Sequence, residues 1–330
     1  MPNPRISVVC VTARPGGLDV LFTGLGQQTF TDFELILVDA LYKRRTSLVE
    51  SLAYDSRIQV RHIPPRQRIL PYDAVPQARN AAIAKARGEL ILWLVDYTYL
   101  PEGSLEAHWR VWESSEKMLA AMGAHTYLEI PELAFELPSY SPRKKFPPGA
   151  SGGATYGYDE EDSRQYVYEV LAGEYDKYMY SIFKVPLETP QQIDALPFDP
   201  LFARADPKLK FQPGTVLRGQ FFHAKNESMP TAWARAINGF DEAYTSHIHD
   251  DTDFGNRVER IGEWRPRWAA METRYAARIV NPRHVFPHLV VRDKFDTHKE
   301  KYYEVERNPD IVWAPNPYDI REMADMWWWY

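Results

Sequence analysis

Short apolar runs alternate with segments of helical periodicity along the first third of the chain. β-Branched and aliphatic runs predict strands at 6–11, 33–39, 58–62 and 90–95. Apolar positions at helical spacing predict helices at 18–25, 47–52, 77–87 and 103–116. Strands that alternate with helices form a mostly parallel sheet with helices on both faces, so this region predicts an α/β domain.

The alternation stops near residue 126 and returns near residue 214. The stretch between them is rich in Pro, Gly and Tyr, and we interpret it as a large insertion. Strand character at 214–224 and helical periodicity at 230–237 and 251–261 then resume the α/β pattern.

Composition and charge narrow the classes of function. Of 330 residues, 45% are hydrophobic and 25% charged, which is ordinary for a globular protein. The net charge of -6 offers no general attraction for anionic membranes or nucleic acid, so a nucleic-acid partner is not favoured. One cysteine, Cys10, excludes a disulfide framework. With no apolar run of membrane-spanning length and no signal-peptide pattern, we expect a cytoplasmic protein.

Two acidic residues come directly at the ends of predicted buried strands. Asp39 ends the second strand and Asp96 follows the fourth. Because the carboxyl ends of parallel strands meet at the edge where such sheets bind ligands, we expect both acids at one site. Arg79, in the helix between them, adds a positive charge suited to phosphate. The alternative role of either acid is to cap the helix that follows it.

A second acidic cluster lies at the start of a predicted late helix. Asp250, Asp251 and Asp253 fall within four consecutive positions. Carboxylates at this end complement the helix dipole. Crowded carboxylates also raise one another's pKa, which suits one of them to proton abstraction. Capping and catalysis stay equal alternatives from these residues alone.

Glycine-rich phosphate motifs are poor in this chain. The nearest one, at 24–26, lies at a predicted helix end and lacks a third glycine. A P-loop pattern is absent. The sequence therefore supports neither a Rossmann dehydrogenase nor a P-loop kinase.

Six short motifs occur in one fixed order along the chain. They lie at 6–12, 28–34, 78–89, 226–228, 238–242 and 250–254. Their order resembles the family-2-type inverting glycosyltransferases of the GT-A fold, over roughly 1–105 and 215–265. The Q-x-x-R-W signature of processive members is absent, so the resemblance is to enzymes that add a single sugar.

The resemblance implies a site for a nucleotide-diphosphate sugar, with uridine as the base by family habit. The residues that would line the nucleotide are Thr12, Arg14, Asp39 and Arg79. Asn226 and Trp233 would border the donor sugar.

The resemblance also implies a metal and a base. Asp96 would hold Mn²⁺ or Mg²⁺ on the diphosphate and so neutralise charge on the leaving group. Since Asp96 is a single acid where the family carries two or more, His284 or His288 is a candidate further ligand, although either could be an ordinary histidine. Asp251, with Asp250 beside it, would deprotonate an acceptor hydroxyl for in-line attack on the anomeric carbon.

This interpretation divides the chain into four segments. Residues 1–125 form the nucleotide-binding half, 126–214 an acceptor-binding or lid insertion, 215–270 the acceptor and catalytic half, and 271–330 a C-terminal extension. The aromatic end of that extension, at 326–330, is a candidate homodimer contact. The acceptor class stays open between a glycan, a protein and another hydroxyl compound.

Two other functions compete with an active glycosyltransferase. The reduced acidic motif around Asp96 is also expected of a catalytically inactive, glycosyltransferase-like binding module. A sugar nucleotidyltransferase shares the alternating α/β start but needs a glycine-rich loop after the first strand, and 12–17 matches that loop poorly.

Overall fold

The computed structural model describes most of the predicted α/β domain. Its described residues are 3–12, 16–65, 75–114, 120–128, 132, 134, 178–197, 219, 222–244, 250–261, 267–275 and 313–325. Among the helices in these ranges, none has the length and apolarity needed to cross a membrane.

Strands and helices alternate in the order that the sequence predicts. The elements of the first part are β1 (Ile6–Thr12), α1 (Leu18–Gly26), β2 (Phe33–Asp39), α2 (Tyr42–Ser56), β3 (Gln59–Ile63), α3 (Val75–Lys85) and β4 (Leu90–Val95). Helix α2 extends beyond its predicted range at both ends.

The elements after β4 are shorter and less regular. They are β5 (Thr98–Tyr99), α4 (Ser104–Ser114), β6 (Ala121–Tyr127), α5 (Pro190–Asp194), β7 (Glu227–Pro230), α6 (Thr231–Ala236), α7 (Asp250–Glu259), β8 (Arg267–Tyr275) and a 3₁₀ helix (Glu322–Asp325). The prediction of a strand at 214–224 is wrong for the described part of that range, since 219 and 222–224 lie outside any strand. The strand there is β7, which begins at Glu227.

The described strands form one mixed sheet in the order β3-β2-β1-β4-β7-β6-β8-β5. Strands β3, β2, β1 and β4 are parallel neighbours, so they end at the same side, which we call the carboxyl edge. Strand β7 is antiparallel to β4, with Glu227 opposite Trp93 and Pro230 opposite Leu90. The start of β7 therefore lies toward the carboxyl edge and its end lies at the opposite edge.

Alternate residues of the central strands feed two apolar clusters, one on each face of the sheet. Val8 and Leu92 belong to the cluster that packs against α1 and α4. Val9 and Trp93 belong to the cluster that packs against α3 and α7. Each fully buried aliphatic side chain contributes about 1.5–3 kcal/mol relative to exposure. The predicted α/β class, with helices on both faces of a mostly parallel sheet, is confirmed.

Little of the predicted insertion and extension lies in the described ranges. Residues 178–197 pack beside α1, where the Leu18 N–H donates to the Tyr180 carbonyl at 3.2 Å. Strand β6 runs across the predicted boundary at 126. The aromatic end at 326–330, and with it the predicted homodimer contact, lies outside the described residues.

Candidate functional site

Asp96 and Thr12 meet at the carboxyl edge. Thr12 is the last residue of β1, and its Oγ1 donates to Asp96 Oδ2 at 3.0 Å. Tyr97, directly after Asp96, has a φ of 58°, a conformation that bulky side chains rarely adopt. Its buried ring packs against Gly17, where an added Cβ would lie 3.1 Å from the ring. The turn thus ties Asp96 to the chain that follows β1.

Asp39 lies at the same edge, in register with Thr12. Its Oδ1 accepts a hydrogen bond from the Leu41 N–H at 2.8 Å in the turn before α2. Because Leu41 is itself the N-cap residue of α2, this bond does not cap the helix. Its Oδ2 lies 3.1 Å from His62 Nε2 and 3.7 Å from Arg45 Nε, and the carboxylate is fully buried. Asp39 is therefore held by protein groups on both oxygens, and its role in lining the nucleotide stays a prediction.

Arg79 joins the first part of α3 to the start of α7. Its Nη1 donates to Asp250 Oδ2 at 2.5 Å, and its guanidinium lies 4.9 Å from the centre of the Phe240 ring. Burial raises the pKa of Asp250, while the charge of Arg79 opposes that shift. Asp250 Oδ1 is buried and has no hydrogen-bond partner in the described part of the chain.

Asp251 has a different environment from its neighbour. Its Oδ1 accepts from the Thr252 N–H at 2.8 Å, and its Oδ2 lies 3.6 Å from His223 Nδ1. Burial works to raise the pKa of Asp251, but the contact with His223 and the charge of Arg79 lower it below its usual range. Two adjacent carboxyl groups with opposite shifts suit different roles in one site, because Asp251 stays ionised at neutral pH.

Residues 222–226, which we call the β7 loop, connect the two acidic regions. The Glu227 carboxylate accepts from the backbone N–H groups of His223, at 3.3 Å, and Lys225, at 2.6 Å. The Asn226 N–H donates to the Trp93 carbonyl at 2.7 Å, near the end of β4. The loop therefore joins β7 at the side of the sheet on which Asp96 lies. Its His223 side chain lies next to Asp251.

A buried polar network fixes the end of this loop. Asn226 is fully buried, and its Oδ1 lies 2.9 Å from Nε2 of His108, whose Nδ1 lies 2.7 Å from Ser228 Oγ. Burial lowers the pKa of His108 to about 4, so this imidazole is neutral. Nε2–H then donates to Asn226 and Nδ1 accepts from Ser228. No sequence motif points to His108, although His108 shares the buried face of α4 with Leu105.

Asn226 therefore holds the β7 loop in place, and its contact with a donor sugar stays a prediction. Its backbone φ of 60° is left-handed, which asparagine tolerates better than most residues. Its carbonyl accepts from the Gly123 N–H at 2.8 Å. Together with the Trp93 and His108 contacts, this bond means that the N–H, the carbonyl and the Oδ1 of Asn226 all contact other parts of the protein.

Trp233 is not brought to the other candidate residues. It lies in α6, partly buried against the α3 side of the core. The first residue of α6, Thr231, donates its N–H to the Glu89 carbonyl at 2.9 Å, just before β4 begins. Asp96 follows the other end of β4, so the length of β4 separates Thr231 from Asp96. The contact of Trp233 with a donor sugar stays a prediction.

The described residues do not by themselves form a metal site. Within them, no group of three or more His, Cys, Asp or Glu side chains is placed to hold a metal ion. Asp96 stands as a single acid that already accepts from Thr12. Three of the residues predicted from the sequence lie outside the described ranges. They are Arg14 of the predicted nucleotide site and His284 and His288 of the predicted metal site. Binding of Mn²⁺ or Mg²⁺ stays a prediction.

Comparison with solved structures identifies the fold. The chain is similar to S. aureus TarS, a GT-A glycosyltransferase, with a TM-score of 0.51 and 12% identity over 93% of this chain. That match covers 40% of the TarS chain, so this chain spans less than half of its length. TarS 1–349 in complex with UDP-GlcNAc gives a TM-score of 0.47 at 11% identity, covering 82% of this chain and 58% of that one. TarS 1–349 in complex with UDP gives a TM-score of 0.48 at 12% identity, covering 92% of this chain and 72% of that one.

Comparison of the sequence with known families and proteins gives no match. No protein-family model matches the chain, and no curated protein matches it. What the structural likeness shows is a shared fold, an α/β domain of the GT-A type.

Proposed function

We propose that the chain transfers a sugar from a nucleotide-diphosphate sugar to an acceptor hydroxyl, with inversion at the anomeric carbon. One observation carries the proposal. His223 of the β7 loop faces Asp251 at 3.6 Å, and the loop ends at Asn226, whose N–H donates to the Trp93 carbonyl in the strand that leads to Asp96. This loop supports a site shared by the two carboxylates at the edge where open α/β sheets bind their ligands.

On the donor side, the nucleotide is proposed to bind over the ends of β1 and β2, at Thr12 and Asp39. The diphosphate then lies between Asp96 and the start of α3. Arg79 uses Nη1 on Asp250, and a guanidinium has five N–H donors, so it can also contact a phosphate. Lys225, held in the β7 loop by its backbone N–H, is proposed as a second cation for the leaving group. We propose uridine as the base.

On the acceptor side, Asp251 is proposed to provide the basic group. Its lowered pKa keeps it ionised at neutral pH, as a base must be before it removes a proton. The acceptor oxygen attacks the anomeric carbon as the bond to the diphosphate breaks, and a single displacement inverts that carbon. Asp250, paired with Arg79, fixes the start of α7 and hence the position of Asp251.

A catalytically inactive binding module is the second candidate. It is favoured by the single acid, Asp96, directly after β4. Such a module would bind a nucleotide sugar without releasing nucleoside diphosphate, so turnover separates the two functions.

The test is release of nucleoside diphosphate from UDP-GlcNAc, UDP-glucose and GDP-mannose by the full chain. UDP-GlcNAc, the ligand in one TarS structure, is the first donor to assay. We expect turnover by the wild type and a loss of roughly 100- to 10,000-fold in Asp251→Asn, with binding of UDP retained. Tyr54→Ser, at a side chain 85% exposed on α2, is the matched surface control and should match the wild type.

Two outcomes would decide against parts of the proposal. Full activity in Asp251→Asn would remove Asp251 from the reaction, and binding without turnover for every donor would support the inactive module. EDTA tests the metal separately. Loss of turnover in EDTA with recovery in Mn²⁺ supports the predicted metal, whereas EDTA-resistant turnover contradicts the metal and leaves sugar transfer intact.

A further inference from the structure

His223 is the neighbour of Asp251 that the sequence analysis did not single out. We propose that Asp251 exerts its basic function through His223, whose imidazole receives the proton of the acceptor hydroxyl. This inference rests on the proposed glycosyl transfer and names the residue that contacts the acceptor.

The two oxygens of Asp251 already face protein groups. Oδ1 accepts from the Thr252 N–H at 2.8 Å, and Oδ2 faces His223 Nδ1 at 3.6 Å. The His223 side chain is 41% exposed and that of Asp251 only 17%. An acceptor that arrives from solvent therefore meets the imidazole before it meets the carboxylate.

The chemistry of the pair determines which nitrogen is available. An ionised carboxylate only accepts hydrogen bonds, so the Nδ1 that faces it carries the proton in the neutral imidazole. Nε2 is then left with a lone pair, and it makes no hydrogen bond or ion pair with a described residue. The 3.6 Å separation exceeds hydrogen-bond length, and such catalytic contacts often shorten only when substrate binds.

The β7 loop holds His223 firmly. The Glu227 carboxylate accepts from its N–H, and the following residue, Ala224, has a left-handed φ of 51°. A residue with a Cβ adopts this conformation only where its surroundings enforce it, and such residues cluster at functional sites. Asn226 then anchors the loop to β4 and to His108.

The proposed step balances without any further reactant. The acceptor O–H bond breaks and its proton moves to His223 Nε2. The electron pair left on the oxygen forms the bond to the anomeric carbon, while the bond from that carbon to the diphosphate oxygen breaks and its pair stays with the leaving group. Asp251 stabilises the imidazolium, as a buried aspartate does beside a catalytic histidine. The imidazolium then releases its proton to water.

The experiment is chemical rescue of His223→Ala in the full chain, with the donor that the wild type turns over. We expect kcat to fall by roughly 100- to 1,000-fold, while UDP affinity stays within about twofold. Added imidazole should restore part of kcat in His223→Ala, because an exposed side chain leaves an accessible space. It should not restore Asp251→Asn, and it should not change Tyr54→Ser. If His223→Ala fails to fold, His223→Gln tests the loss of kcat alone, without imidazole, since its amide is not basic but its side chain fills the space.

The outcomes separate this inference from the function on which it rests. Near wild-type kcat in a folded His223 variant overturns the inference while leaving glycosyl transfer standing. Loss of kcat with no response to imidazole also overturns it and leaves His223 a structural role only. Absence of turnover in the wild type contradicts glycosyl transfer itself.

Discussion

A methyl group at position 123 should displace the β7 loop and thereby test how that loop is held. An ideal Cβ on Gly123 would lie 2.0 Å from Asn226 Nδ2 and 2.6 Å from its Cγ. Asn226 cannot move aside easily, because its Oδ1 contacts His108 and its N–H donates to Trp93. We expect Gly123→Ala to lower the free energy of unfolding by about 1–3 kcal/mol, the usual cost of overpacking a core.

Urea unfolding followed by tryptophan fluorescence measures this change. Gly26→Ala is the matched control, because a Cβ there meets only Ser56 Cβ, at 3.9 Å. Alanine is also the better helix former, so the control should be neutral or more stable by up to about 1 kcal/mol. Turnover should fall in Gly123→Ala, since the loop carries His223, and should not fall in Gly26→Ala.

A double-mutant cycle identifies the contact responsible. Asn226→Gly suits the left-handed backbone and removes the side chain that the methyl group added by Gly123→Ala would strike. Alone it should cost about 1–3 kcal/mol, because the buried His108 loses its partner. The loss of unfolding free energy in the double variant should be smaller than the sum of the losses in the two single variants. Additive costs, or a Gly123→Ala protein as stable and active as the wild type, would refute this account of the loop.

Further predictions concern the buried charges. Burial raises the pKa of Asp19 to about 6, so between about pH 4 and pH 6 the folded state retains a proton that the unfolded state has lost. As the pH rises through that range, the unfolding free energy of the wild type should therefore fall by about 3 kcal/mol relative to that of Asp19→Asn. Urea titrations at each pH measure this difference. Arg79→Gln strips the buried Asp250 of its cation and should cost about 3 kcal/mol, less in an Asp250→Asn background, by the same titrations. Thr12→Val removes the bond to Asp96 and should cost about 1 kcal/mol and weaken UDP binding measured by calorimetry.

Each of these has a result that counts against it. A difference between wild type and Asp19→Asn that does not change with pH would contradict the raised pKa. Equal costs of Arg79→Gln with and without the Asp250 carboxylate would show that the pair is uncoupled. Unchanged UDP affinity in Thr12→Val would separate the Thr12–Asp96 contact from the nucleotide.

The central strands could be predicted because their sequences alone require burial. Strand β4 is apolar at every position, and a strand with both faces covered needs that composition. The alternation of strands and helices predicts parallel strands, and so it predicts Asp39 and Asp96 at one edge; in the structure they follow β2 and β4, which lie on either side of β1. This local information predicts the α/β class, whereas the GT-A fold was implied only by the resemblance in the order of the motifs.

Strand β7 could not be predicted, because two of its residues are polar and nevertheless buried. Glu227 and Ser228 are buried, yet neither is apolar. The Glu227 carboxylate accepts two N–H groups of the β7 loop, and Ser228 contacts His108 from α4. Tertiary contacts of this kind override the preference of the local sequence.

The partners of the candidate site residues were also hidden in the sequence. Arg79 was expected to face a phosphate, whereas the structure pairs it with Asp250 and places it against Phe240. His223 lies in a loop without periodicity, so nothing local relates it to Asp251.

A crystal structure of the chain with UDP would show directly whether the ligand lies at the carboxyl edge. We predict the nucleoside over the ends of β1 and β2 and the diphosphate between Asp96 and the start of α3, with His223 facing the open side. Two results would contradict this prediction. UDP could bind away from the carboxyl edge, or Asp96 and Asp251 could line no common cavity around the diphosphate.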